Sequence, residues 1–163
     1  MMALRHVCRL QISSALAALF FYLFAPGVFA AEVTFEKAPL EIVTASGEIH
    51  RFTVELALDN EQRAQGLMNR RHMPRDGGMF FDFGMTRRVM MWMKNTYLPL
   101  DMLFIARDGK VETIRENAVP LSEAIIDSKV PVAYVLELNA GTVSRLGLAP
   151  GDIMDTAAIS KAR

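Results

Sequence analysis

Phe52-Thr53-Val54-Glu55-Leu56-Ala57-Leu58 is the stretch from which the fold class is read. Large apolar side chains at 52, 54, 56 and 58 alternate with Thr53, Glu55 and the small Ala57, and a period of two puts one set on each face of an extended strand. Residues 40–44 read as an earlier strand, and Ser46-Gly47 turns the chain between the two, so the pair is a hairpin. Further short strands are expected at 79–83, 87–93, 100–106, 110–116, 132–138 and 153–159. The strand at 100–106 is apolar on both faces and therefore central. Asp108-Gly109 predicts a type I′ turn, which needs positive φ at both central residues. Asp59 or Asn60 can cap a short helix that runs through Gln65, with Gln62 completing a capping box on Asp59 and Gly66 ending it. A second short helix is expected at 140–146, while 71–78 and 120–131 read as irregular apart from a helical turn at 122–126. The expectation is a mostly β fold, a small antiparallel β-sandwich or barrel with one or two short helices.

Residues 1–30 have the layout of a signal peptide. Arg5, His6 and Arg9 precede an uncharged stretch that is densest from Ala15 to Ala25, and Val28-Phe29-Ala30 offers small-residue positions for cleavage before Ala31. That stretch is shorter than the roughly 20 apolar residues of a membrane-spanning helix. The expected product is periplasmic or secreted, without stable membrane insertion, and consists of residues 31–163 as a single domain, expected to be a monomer. The only cysteine, Cys8, leaves with the signal and takes disulfides, thiol nucleophiles and thiolate ligands with it. Arg5 and Arg9 leave too, which lowers the net charge from zero to −2. Arg70, Arg71, Arg75, Arg87 and Arg88 are interleaved with Asp76 and Asp82, so no nucleic-acid partner is expected.

Met90-Met91-Trp92-Met93-Lys94-Asn95-Thr96, followed by Tyr97-Leu98-Pro99-Leu100-Asp101, places the only Trp of the chain among methionines and polar groups. An apolar run this dense reads as a buried strand, yet Lys94, Asn95 and Asp101 each need a partner or water if buried with it. Strand alternation puts Met90, Trp92 and Lys94 on one face and Met91 and Met93 on the other, while Asp101 shares a face with Leu103 and Ile105.

The chain resembles the bacterial and archaeal family known as domain of unknown function 192, or uncharacterised protein family 0127. The resemblance rests on Leu56-Ala57, Arg63, Gly66-Leu67-Met68 with Arg70, and Gly78-Met79-Phe80-Phe81 with Phe83. It continues through Trp92 to Thr96, Pro99-Leu100-Asp101, Phe104-Ile105, Leu136-Glu137 and Gly151-Asp152, covering about residues 40–157. Asn69 departs from it, standing where a bulkier residue is expected. The resemblance implies a small β-sandwich of jelly-roll type, often exported, and no established activity.

Three functional readings follow. The first is non-catalytic binding of a small envelope ligand or partner protein, with Trp92 as a stacking platform and Lys94, Asn95, Asp101 and Arg70 as directional polar groups. In the bland version of the same residues, Trp92 anchors the core and Asp101 meets an ion-pair partner or several backbone amides. The second is a Cu(I) or Ag(I) site built from thioethers and Trp92, drawing on Met90, Met91, Met93, His72 and Met73 among nine methionines of the expected product. Here the bland version is methionine filling an irregular core. The third is a hydrolase in which Asp101 and Glu137 face each other across a cleft. His50 and His72 lack ligand spacing, and no nucleophile elbow is present. Binding is read ahead of catalysis, with no obligatory cofactor.

Overall fold

The computed structural model describes residues 33–155. The expected signal peptide, its cleavage site, Cys8 and the end of the last expected strand lie outside that range. Seven strands and two short helices follow in the order β1 (Lys37–Val43), β2 (Ile49–Ala57), α1 (Asn60–Gln65), β3 (Gly77–Met91), β4 (Leu100–Ile105), β5 (Val111–Ala118), β6 (Ile126–Asn139), α2 (Thr142–Leu146) and β7 (Ile153–Met154). All seven strands belong to one sheet with the order β5-β4-β6-β3-β2-β1-β7.

The described residues thus form one sheet, and a second sheet packed on it is not seen among them. The sheet curls so that its edges approach: β7 pairs with β1 on one side and bridges Lys110 on the other. The Val111 amide donates to the Asp152 carbonyl at 2.8 Å and the Met154 amide to the Gly109 carbonyl at 2.8 Å. Curling in this way leaves fewer open edge groups to attract another strand. The fold is barrel-like, one of the two architectures expected.

The hairpin read from residues 40–58 is present as β1 and β2, paired antiparallel from Lys37 and Glu55 to Val43 and Ile49. The pairing of β2 with β3 is parallel, the exception in a sheet that is otherwise antiparallel, as was mostly expected. The cause is the connection between them, which carries α1 and the loop up to Asp76, long enough for the crossover that parallel strands need. The expected strands 79–83 and 87–93 merge into β3, with a register shift between Asp82 and Arg87. The region read as irregular before Pro131 instead begins β6. At the 106–110 turn only Gly109 has positive φ, at 91°, and Asp108 accepts from the Lys110 amide at 3.1 Å, so the turn is not of type I′.

Two apolar clusters cover the two faces of the sheet. Leu40, Ile42, Val54, Leu56, Phe80, Leu103, Ile105, Leu136 and Leu138 lead one. Met79, Phe81, Val89, Met93, Met102, Phe104 and Val135 lead the other, which is capped by Leu67 and Met73 from the loop after α1. Because both faces are buried, β4 is buried at every position, as a central strand should be.

Candidate functional site

α1 forms because Asp59 is extended and its carboxylate accepts from the Gln62 amide at 2.8 Å, while Gln62 Oε1 accepts from the Asp59 amide at 3.2 Å. This is the reciprocal cap expected of Asp59 and Gln62. The chain leaves α1 at Gly66 and passes Leu67 and Met68 to Asn69. There it meets the segment after β3: the Asn69 amide donates to the Asn95 carbonyl at 2.8 Å. Asn69 and Asn95 both have left-handed backbone, with φ of 64° and 53°. Asparagine tolerates that region where bulkier residues resist it, which accounts for Asn69.

Between these two segments lies a cavity of about 220 Å³. Arg63, Met68, Phe81, Phe83, Trp92 and Lys94 form much of its wall, and Glu137 lies at its base. Glu137 stands on β6 between Met79 of β3 and Met102 of β4, both fully buried. It is itself only 4% exposed, and its carboxyl has no hydrogen-bond or ion-pair partner among the described residues. Burial disfavours the charged form and pushes this carboxyl up to about 8. Near neutral pH it is therefore a protonated acid, able to donate a hydrogen bond into the cavity.

The rim is cationic and aromatic. Lys94 Nζ lies 5.8 Å from the centroid of the Trp92 ring, and the Arg63 and Arg87 guanidinium carbons lie 6.0 and 5.0 Å from that of Phe83. Arg63 is fixed by donating to the carbonyls of Leu58 and Asp82 at 2.5 and 2.6 Å and to Asn60 Oδ1 at 2.6 Å. Trp92 is 49% exposed, so it is a wall of this cavity rather than the anchor of a core.

Of the residues read as binding groups, Trp92 and Lys94 meet here. Asn95 shapes the wall through its backbone, and its side-chain amide lies 3.9 Å from the Met68 sulfur. Arg70 is elsewhere, held by both carboxylate oxygens of Glu55 at 2.7 and 2.5 Å and lying over Phe35. Asp101 is fully buried on the opposite face of the sheet. Its two oxygens accept from the amides of Asn117 and Val143, each at 2.9 Å. The ladder pairs Asp101 with Leu138 and Met102 with Glu137, so the two acids point to opposite faces and share no cleft. That geometry removes the paired-carboxylate arrangement considered for hydrolysis.

Of the methionines read as metal ligands, Met90 and Met91 line the cavity, joined by Met68. Met93 and Met73 are buried in the second apolar cluster, and His72 is exposed without lining the cavity. Sequence reasoning did not assign Arg63, Phe81, Phe83 and Met68 to a site. Only the family-like spacing of these residues hinted at a common role.

The DUF192 family model, described as Uncharacterized ACR, matches residues 41–156. The chain belongs to the DUF192 family. Among solved structures this DUF192 chain is similar to a candidate transcription regulator from Sinorhizobium meliloti 1021, with 68% identity and a TM-score of 0.75, covering 76% of this chain and 96% of that one. It is also similar to a protein of unknown function from Novosphingobium aromaticivorans DSM 12444, with 37% identity and a TM-score of 0.70, covering 73% of this chain and 84% of the other. No curated protein matches the chain.

Proposed function

We propose that this DUF192 protein is an exported, non-catalytic binding domain that takes a small envelope ligand into the cavity between Trp92 and Glu137. The carrying observation is Glu137, a buried carboxyl without a partner among the described residues, lining an open cavity. A protein leaves such a group unsatisfied at a cost of about 1–3 kcal/mol, which bound ligand or water would recover. A protonated carboxyl inside, cations of Arg63 and Lys94 at the rim, and aromatic and thioether walls between favour one ligand chemistry. It is a small molecule with an apolar body and a hydrogen-bond acceptor, neutral or anionic. Export rests on the signal-like residues 1–30.

Trp92 is the only indole in the chain, so its emission reads the cavity alone. Titration with octanoate and with N-acetylglucosamine oligomers at pH 6.5 should give a saturable change with at least one of them. Glu137→Gln, which keeps a donor, should retain that change, and Glu137→Leu should weaken it about tenfold. Raising the pH to 9 ionises Glu137 and should weaken an acceptor ligand as well. Equal binding by the wild type and Glu137→Leu would remove Glu137 from the site, and a flat titration with every probe would remove the reading.

A soft-metal reading is favoured by one observation, the presence of Met68, Met90 and Met91 on the same cavity as Trp92. Against it, Lys94 already lies over the ring that would cover a cation. Stoichiometric quenching of Trp92 by Ag(I), abolished in Met68→Leu, would bring that reading forward. The transcription-regulator description of the Sinorhizobium meliloti neighbour would call for a nucleic-acid surface. Here Arg51, Arg70 and Arg88 are each paired with an acid, which weighs against a phosphate-tracking stripe.

A further inference from the structure

Beside the cavity the chain holds a second feature, the loop from Val119 to Ile125. Val119, Leu121 and Ile125 are each more than half exposed. Leu121 has left-handed backbone with φ of 61°, a conformation that costs a branched side chain of the order of 1 kcal/mol and that glycine would adopt freely. The loop is strapped to the segment that carries Trp92. The Leu121 amide donates to the Thr96 carbonyl at 3.0 Å, and the Met93 amide donates to the Ser122 carbonyl at 2.9 Å. Strain is thus spent on holding an apolar side chain in water, next to a half-exposed Trp92 and a Tyr97 that is 40% exposed.

Charge indicates what meets this surface. Residues 90–97 contain Lys94 and no acid, the loop 119–125 contains Glu123 and no base, and Arg71 beside Tyr97 leaves the surface with one net positive charge. The aromatic rings carry cations at their faces, Lys94 on Trp92 and Arg71 over Tyr97 at 4.5 Å. Aliphatic tips flanked by Trp, Tyr, Lys and Arg on loops form the pattern that suits the headgroup boundary of an anionic bilayer. There the apolar ends enter the acyl region, the rings sit at headgroup level and the cations meet phosphates.

We propose that the loops 90–97 and 119–125 together form a docking surface for an anionic membrane face. Val119, Leu121 and Ile125 lie outside the cavity lining while Trp92 and Lys94 belong to it, so docking and ligand binding share those two residues and the aliphatic tips tell them apart.

Trp92 gives the test. The full chain is mixed with phosphatidylcholine vesicles with and without phosphatidylglycerol, using lipids brominated near the headgroup end of the acyl chain. Bromine quenches only Trp92, since the apolar N-terminal segment contains no Trp, so any membrane attachment through that segment is not mistaken for docking. Quenching is expected with phosphatidylglycerol present, and it should fall severalfold as salt screens the surface. Leu121→Gly relieves the backbone and should fold at least as well, while its apparent vesicle affinity drops about tenfold. Absence of quenching, or quenching that Leu121→Gly leaves unchanged, overturns the proposal. Equal quenching with phosphatidylcholine alone overturns its anionic part.

Discussion

Asp101 and Glu137 belong to the same pair of strands, one rung apart on the ladder between β4 and β6, and both are removed from bulk water. Asp101 faces the cluster of Leu103 and Ile105 and has each oxygen on a backbone amide. Glu137 faces the other cluster and has no partner among the described residues. Where its side chain points, two loops part to leave a cavity. A carboxylate that holds a fold together looks like the first, and one kept for something outside the chain looks like the second. Burial alone does not distinguish them, because both are deep in the sheet. The number of donors that reach each carboxyl does.

The comparison breaks most visibly at Asp101. It ties β4 to Asn117 at the end of β5 and to the first turn of α2, whose own cap residue, Gly141, offers no side chain. Asp101→Ala leaves two amides without their acceptor and should cost about 3–5 kcal/mol. Asp101→Asn preserves shape but presents an NH₂ group to one of those amides, and should recover only part. Urea denaturation of the two variants beside the wild type measures both. A loss under about 1 kcal/mol for Asp101→Ala would mean that the amides find other acceptors, and the structural assignment would fail.

The strand alternation that yields β1 and β2, the capping box of Asp59 and Gln62, and the placement of Met90, Trp92 and Lys94 opposite Met93 were all legible, because each depends on residues within a turn or two. The fates of Asp101 and Glu137 were not. For Asp101 the requirement was readable, several donors or a cation, but the donors come from Asn117 and Val143, distant in sequence. For Glu137 the acid in an apolar strand was visible. Its cavity depends on where Gly66 to Met68 and Trp92 to Thr96 come to rest, and the register of three strands decides that. The barrel-like curl was hidden for the same reason, since it hangs on Lys110 meeting Ile153. The parallel pairing of β2 and β3 could have been inferred from the helix and loop between them.

Glu137 makes the stability of the fold fall as pH rises. Its ordinary value near 4.5 is raised to about 8 in the folded protein, so the folded state holds the proton more tightly than the unfolded state. Below the lower value both states are protonated and nothing is lost. Between the two, the unfolded chain releases its proton and the folded chain does not, so stability falls steadily as pH rises. Above the upper value the penalty is complete. Glu137→Gln removes the titration, and at pH 7 it should be more stable than the wild type by about 3 kcal/mol. The difference should shrink towards zero near pH 4.5, as read by denaturation across that range. A difference that does not vary with pH would mean that water or an unrecognised donor satisfies the carboxyl, and the contrast with Asp101 would lose its basis.

The smallest effect sharpens the contrast from outside. Arg70 and Glu55 form a two-pronged pair whose side chains are 31% and 18% exposed, which leaves it more open to water than either buried acid. Such a pair is worth less than its geometry suggests, because solvent screens the attraction and two long side chains lose freedom. Arg70→Ala should cost about 1 kcal/mol, part of it from the contact with Phe35. Arg70→Lys should recover little, since an ammonium cannot grip both oxygens. Both variants should leave any ligand-dependent change in Trp92 emission intact, because Arg70 does not reach the cavity. If Arg70→Ala instead abolished that change while costing little stability, the binding surface would extend across the loop after α1 to Arg70. Glu137 would then be one end of the site rather than its centre.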